Sequence, residues 1–395
     1  MNIVIVNDFD YIEGGATKIA IETANLLSHN RKNKVFFFSG TDTDGISLDS
    51  KVIKVSTGEL EAIKRKNKLF ALLSNIYNIN SRKKLSELLK TLDKKNTIIH
   101  YHTWTKILSS SVFDVAFKMG FHTVLTAHEC FSVCPNGVFY NFMDNKVCDK
   151  KALSLNCFLC NCDSRNYLYK ILRFLRSFVQ QKIIKINNKI EYVICVSELN
   201  EKLIKPYFGT NVLFTRIFNP TDHQVVSASN NRKNYYLYVG RTEYSKGINM
   251  FCKSITELNL NGVVIGDGEL FKQLTSKYTQ IKFLGWQDSK TINKYLSEAK
   301  ALIYPSLAYE SFGLSIIDAL SYNTPVFCSY VCGGSYLIQD GVNGFVFSDY
   351  FDLISKLKQF EKKPFSFEFN NDSYSKEVYL DSVEQLFNKI IQSDK

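Results

Sequence analysis

Glu310 and Asp318 stand eight residues apart in PSLAYESFGLSIIDALSYNTPVF, residues 305–327, with Phe312, Gly313 and Leu314 opening the helix predicted between them. The first amides of a helix lack intrahelical partners and carry the positive end of its dipole, so a diphosphate could rest on the backbone at 312–314. Asp318, two turns further on, is too distant to share that anion, but it could accept hydrogen bonds from the hydroxyls of a ribose. Glu310, just ahead of the helix, would then face a sugar. Either carboxylate taken alone reads more simply as a helix cap or a solvated charge. Company changes the balance. VGRTEYSKG, residues 239–247, follows a predicted strand directly and would project Arg241 and Lys246 from its carboxyl end, where parallel sheets place their ligands. Two cations and a helix dipole suit a diphosphate leaving group, whose charge grows as the bond to it breaks. Solvation would explain either cation by itself, and the GDG at 266–268 alone marks only a tight turn.

A second set of reactive side chains lies in the first half. His100 and His102, in IIHYHTW, end a predicted strand and share one face of it, where they could contact an acceptor or hold a metal; core or surface duty is the plainer alternative. Six of the ten cysteines fall between 130 and 162. In a reducing compartment the C-x2-C of Cys157 and Cys160, with Cys134 and Cys148 upstream, reads as a candidate structural zinc site closing the long loop 129–165, and Cys162 is a rival ligand. Buried thiols, disulfides and iron-sulfur chemistry stay open beside it.

The formal charge of +11 calls for an anionic partner. Residues 165–190 carry seven basic side chains and no acidic one, interleaved with Leu, Ile, Phe and Tyr at helical spacing, and a second basic stretch runs from 64 to 85. Both could rest on an anionic membrane surface, or be ordinary solvated helix faces. Nucleic acid is not expected, since no helix-turn-helix, RNP or zinc-finger spacing accompanies the charge. No run of apolar residues is long enough to span a bilayer, and MNIVIVNDFD has no signal-peptide features, so a cytoplasmic protein, peripheral at most, is expected.

The elements that must position these groups repeat one pattern. NIVIVN, a run of β-branched residues, is followed by a loop with Gly14 and Gly15 and then by TKIAIETANLL at helical spacing; KVFFFS, NTIIHYH, HTVLTAH and EYVICVS continue the alternation. After FNPTD at 218–222 a second series begins with YYLYVG and runs through GVVIGDGEL, IKFLGW, ALIYPS and TPVFCS. Alternating strands and helices predict two α/β, Rossmann-like domains with parallel sheets: 1–217 with the C-terminal helix 375–395, and 218–374. A length of 395 residues, 45% hydrophobic and 22% charged, suits two cores and excludes disordered or fibrous classes.

Taken together, the GG loop, the strand-end His128 in TAHE, FNPTD, VGRTEYSKG, GDGEL, FLGW, the acidic motif and GG before DGVNGFVF resemble the retaining glycosyltransferases of family 4, with GT-B architecture and an E-x7-E hallmark. The resemblance covers nearly the whole chain. It implies a donor and acceptor cleft between the two domains. Glu310 would bind the hydroxyls of the transferred sugar, Phe312, Gly313 and Leu314 its phosphate, and Asp318 the ribose. Arg241 and Lys246 would hold the diphosphate, Gly15 would approach it from the other domain, and His128 would touch the donor sugar near the reaction centre. Asp318 departs from the usual glutamate, being one methylene shorter. The implied activity is transfer of a sugar, with retention, from a UDP- or GDP-sugar to a glycan or lipid-linked acceptor in surface polysaccharide or glycolipid synthesis. No catalytic cofactor is implied, and Asp42 and Asp44 read as turn residues rather than a metal motif. A GT-B epimerase and a non-catalytic membrane adaptor are the competing readings; a nicotinamide enzyme is excluded because no G-x-G-x-x-G follows NIVIV.

Overall fold

The computed structural model describes all residues except 44–46, 62, 63, 65–67, 222–231, 394 and 395. Asp44, Asp222 and residues 65–67 of the basic stretch at 64–85 therefore lie outside the described residues. The chain divides into two compact units. The first comprises Met1–Val138, Asp149–Pro220 and Lys376–Lys395; the second comprises Phe139–Cys148 and Thr221–Ser375.

The first unit is built on a seven-stranded parallel sheet. In chain order its strands are β1 (Asn2–Asn7), β2 (Lys34–Ser39), β3 (Ile53–Ser56), β4 (Thr97–Tyr101) and β5 (His122–Ala127), with two more after the cysteine-rich segment. That segment contributes a small antiparallel hairpin, β6 (Tyr140–Asn141) and β7 (Lys146–Val147), which belongs to the second unit. The sheet is completed by β8 (Tyr192–Cys195) and β9 (Leu213–Arg216), in the spatial order β3-β2-β1-β4-β5-β8-β9. β1, β4 and β5 are buried on both faces, which is why NIVIVN and TIIHY read as continuous apolar runs rather than alternating ones. The last helix, Lys376–Ser393, packs on the first unit: Tyr379 and Thr23 share a 2.6 Å hydrogen bond, and Asn30 and Asn33 both donate to Glu384.

The second unit carries a six-stranded parallel sheet of β10 (Tyr236–Val239), β11 (Gly262–Ile265), β12 (Lys282–Phe283), β13 (Ala301–Tyr304), β14 (Val326–Ser329) and β15 (Gly344–Phe347), ordered β12-β11-β10-β13-β14-β15. Its core is rich in aromatic rings. Phe327 sits 5.3 Å from Phe345 and 5.5 Å from Phe360, all three buried; each fully buried Phe contributes about 1.5–3 kcal/mol.

Both sheets reverse their winding direction once, between β1 and β4 in the first unit and between β10 and β13 in the second. Loops leaving the carboxyl ends of such neighbouring strands diverge and open a crevice, the usual ligand position in open α/β sheets.

Candidate active site

In the second unit the chemistry-bearing residues of the acidic motif gather at that crevice. β10 runs into a short turn, Tyr244–Lys246, ended by Gly247 at φ +71°, whose absent Cβ would lie 1.7 Å from the carbonyl oxygen of Pro305. Only glycine lets the β10 loop lie against the β13 loop at this point. Lys246 is thereby delivered to Glu310, with which it forms an ion pair; both side chains keep partial exposure. Ser306 Oγ donates to the same carboxylate oxygen at 3.1 Å. The backbone of Glu310 is fixed as well, its amide donating to Val331 at 3.1 Å and its carbonyl accepting from Gly333 at 2.7 Å.

The helix that follows spans Leu314–Ser321, with Gly313 as its N-cap at φ +92° and no side chain capping it. Its first-turn amides are thus not engaged by a capping side chain, as an anion site at Phe312, Gly313 and Leu314 requires. Asp318 lies in the middle of this helix and accepts a 3.4 Å hydrogen bond from Thr221 Oγ1. Arg241 behaves differently from Lys246. Its guanidinium is largely exposed and pairs with Glu243 at 2.7 Å, two residues along its own loop. The two cations read together in the sequence therefore have separate carboxylate partners. Ser306, which the sequence reasoning did not single out, shares the Glu310 carboxylate; its position four residues before Glu310 was the available signal.

In the first unit three histidines converge. His100 lies within β4, one residue from its end, His102 follows that strand, and His128 follows β5. The His100 and His102 rings lie 4.2 Å apart, and His102 Nδ1 is 2.8 Å from His128 Nε2, so one nitrogen of that pair carries the shared proton. Burial pulls His100 down to about 3, helped by the neighbouring His128; burial alone pulls His128 to about 3, and burial with both other rings lowers His102. All three are neutral at physiological pH. The expected acceptor contact of His100 is corrected by its environment. The ring is 0% exposed, hydrogen-bonded to Thr126 Oγ1 at 2.7 Å and met edge-on by Phe387, so it supports its neighbours rather than a ligand. His102 and His128 line a shallow cavity with Thr103, Trp104, Glu129 and Phe131.

The loop after β1 leads to the helix Gly15–His29, capped only by Gly14, which is exposed and has open space where a Cβ would stand. Sequence reasoning passed over Asp8 in this loop. Its carboxylate is fully buried and accepts from the amides of Lys106, Ile107 and Leu108 at 2.9–3.0 Å, tying the β1 loop to the segment after β4; burial outweighs these amides and raises its pKa.

The cysteines do not assemble as the spacing predicted. Among the described residues no three His, Cys, Asp or Glu side chains are grouped to hold a metal. Cys157 is instead gathered with Cys162 around a cation the chain already supplies: Lys170 Nζ lies 3.3 Å from both sulfurs. Burial works against that charge, but the two sulfurs hold the lysine above its ordinary pKa. The basic helix is likewise less solvated than its sequence suggests. It is divided into Tyr167–Phe178, a wide turn at Val179–Ile183 and Ile186–Lys189. Lys170 is buried, Arg173 pairs with the buried Asp163, and Arg176 donates to the carbonyls of Thr105 and Pro135. Desolvation lowers Arg176 to about 10. Three of the seven basic residues are thus spent inside the unit.

Comparison with known proteins agrees with this geometry. Residues 220–376 match the model of the family described as glycosyl transferases group 1. That stretch takes in both strands of the second crevice, the Lys246–Glu310 pair and the helix at Gly313. An uncharacterized 41.2 kDa protein in the cps region of Klebsiella pneumoniae is 25% identical over 87% of this chain and 93% of that protein. An uncharacterized glycosyltransferase of Methanocaldococcus jannaschii is 26% identical over 38% of this chain, and the chain spans only 44% of that relative's length. The crystal structure of Anabaena Alr3699/HepE in complex with UDP and glucose superposes with a TM-score of 0.62 at 15% identity, covering 100% of this chain and 98% of that one. The fold is GT-B, with two Rossmann-like α/β units. The match to the glycosyl transferases group 1 model falls on the second unit. Among the described residues no helix is long and apolar enough to cross a membrane.

Proposed function

We propose that this chain is a retaining glycosyltransferase that moves a sugar from a nucleotide-diphosphate donor to a glycan or lipid-linked acceptor in the synthesis of a surface polysaccharide or glycolipid. The observation that carries the reading is the Lys246–Glu310 ion pair, buttressed by Ser306 and set before an uncapped helix N-terminus. A cation and a row of helix amides match the growing negative charge on a departing diphosphate, and a partly exposed carboxylate beside them matches the hydroxyls of the sugar being transferred. The donor's phosphates would take Lys246 as a partner, releasing Glu310 to accept from the sugar. Asp318, whose carboxylate accepts from Thr221, would take the ribose. Arg241, exposed on its own loop, would swing from Glu243 to the diphosphate.

With neutral histidines and with carboxylates assigned to binding, the residues supply alignment and charge stabilisation rather than a paired acid and base. The leaving phosphate oxygen would itself take the acceptor's proton on the face it vacates, which gives retention. The Anabaena structure, in complex with UDP and glucose, supports a nucleotide-sugar donor. His128 and Gly15 are assigned to the donor, and His102 to holding His128. An anionic membrane surface is supported by Leu168, Leu175, Phe178 and Ile183, all exposed beside Arg165, Lys182 and Lys189.

The reading is tested by incubating the protein with a panel of UDP- and GDP-sugars and following nucleotide release, with and without a lipid-diphosphate acceptor. Release with one donor is expected, and NMR of the product should show the donor's anomeric configuration kept. No release from any donor, together with no nucleotide-diphosphate binding, overturns it.

A further inference from the structure

The cluster around Lys170 has no part in sugar transfer, yet it is a specific chemical arrangement. Lys170 begins on the first turn of the helix Tyr167–Phe178 and turns inward, leaving 1% of its surface exposed. Its amine lies 3.3 Å from Cys157 Sγ and 3.3 Å from Cys162 Sγ, and both cysteines are themselves buried. Asn136 Nδ2 approaches the Cys162 sulfur at 3.5 Å and donates to the Cys162 carbonyl at 3.2 Å, while its Oδ1 accepts from Cys134 Sγ at 3.1 Å. One nitrogen thus touches two oxidisable sulfurs in a dry pocket.

We propose that Lys170, Cys157 and Cys162 form an oxidant-responsive site in which peroxide joins the lysine nitrogen to one of the two sulfurs through a single oxygen. Either sulfur lies close enough to the lysine nitrogen to be joined to it through one oxygen. One peroxide oxidises the sulfur to a sulfenic acid, S–OH, and is reduced to water. A second oxidises the neighbouring amine to a hydroxylamine, N–OH, with a second water. Condensation of the two hydroxyls forms the S–O–N link and releases a third water, so that four electrons pass from sulfur and nitrogen to two peroxides. The S–H bond and one N–H bond are lost, and the link retains one oxygen. A disulfide between Cys157 and Cys162 is the competing product. It would take both sulfurs from the amine and leave a buried ammonium without either partner, an expensive arrangement. The S–O–N link instead keeps the nitrogen where it is. It would close the segment after the helix Leu155–Leu159 onto the helix that carries the exposed apolar and basic side chains.

The test uses the full chain, reduced and treated with a chelator, then exposed to hydrogen peroxide, digested and examined by tandem mass spectrometry. The expected result is a peptide joining Lys170 to Cys157 or Cys162, heavier than its reduced parts by one oxygen less two hydrogens and returned to them by dithiothreitol. The same treatment in guanidinium should lower its yield at least tenfold, since the unfolded chain no longer holds the amine between the sulfurs. Wild-type protein alone decides the matter; Cys157→Ser and Cys162→Ser, made singly, then show which sulfur is used. A Cys157–Cys162 disulfide with unmodified Lys170, oxidised cysteines with no lysine adduct, or stoichiometric zinc on these sulfurs in the purified protein would each overturn the proposal.

Discussion

The two units use the same topological device and fill it with opposite chemistry. Each sheet reverses between two neighbouring strands, and polar side chains gather at the carboxyl ends of its strands. In the second unit these are Lys246 and Glu310, charged, paired and partly exposed. In the first they are His102 and His128 over His100, neutral and lowered far from their ordinary pKa by burial. The contrast separates two ways of building a polar site. The Lys246–Glu310 pair keeps some solvent access on both sides, which leaves it open to exchange partners with a ligand. A stack of buried neutral rings is the reverse: it is part of the core, and protonating it works against the fold.

The comparison breaks most sharply at Glu310. Glu310→Ala should lower the rate of sugar transfer by about 10²–10³-fold, the scale of removing one aimed polar group from a reaction centre. Its effect on thermal unfolding should be small beside the loss of rate, because Lys246 keeps some solvent access once its partner is removed. Steady-state kinetics and melting curves on the same preparation check both halves. A variant that loses stability and activity together would show that the pair is structural and erase the distinction. Lys246→Ala should follow with about a 10²-fold loss, and Lys246→Arg should recover little of it, since the planar guanidinium does not reproduce a compact ammonium at the end of a glycine-bounded turn.

The first unit should respond to pH through its three buried histidines. His100 and His128 titrate at about 3 in the folded chain and His102 is lowered as well, whereas in the unfolded chain all three return to about 6.5. Below that value the unfolded state binds more protons, so the stability contributed by the neutral rings is present above about pH 6.5 and is lost as pH falls toward 3. The slope approaches about 1.4 kcal/mol per pH unit for each histidine. Urea unfolding from pH 7.5 to 5 measures it, and His100→Gln, which can keep the hydrogen bond to Thr126, should flatten the dependence. A stability independent of pH through this range would mean that the rings are not sealed.

The difference between the units also explains what could be read in advance. The strand runs, the crossover pattern and the helix after Gly313 are local, written in apolar periodicity and glycine placement, and the sequence carries them plainly. The Lys246–Glu310 meeting was half visible: both residues stood in recognisable motifs, but their pairing depends on Gly247 packing against Pro305, 58 residues away in the chain. For the cysteines, spacing counts only neighbours along the chain. It could not show that a lysine on the following helix turns inward to two of the sulfurs. The basic helix misled for a related reason. Charge counts assume solvation, whereas Arg176 finds two carbonyl oxygens and Arg173 a buried carboxylate.

Asp318 gives the smallest expected effect and the finest test. It sits on the same helix as the uncapped N-terminus but one residue type away from the glutamate its motif resembles, and its carboxylate already accepts from Thr221. If it serves the ribose, Asp318→Ala should raise the donor KM by about tenfold, one hydrogen bond to a charged group, with kcat nearly unchanged. Thr221→Val should produce a shift of a few-fold in the same direction by loosening the carboxylate. Asp318→Glu restores the longer side chain. If a water or a closer ribose compensates for the missing methylene, this variant should bind donor no worse than wild type. A loss of kcat in Asp318→Ala equal to that in Glu310→Ala would place both carboxylates at the reacting sugar and remove the division of labour within the second unit.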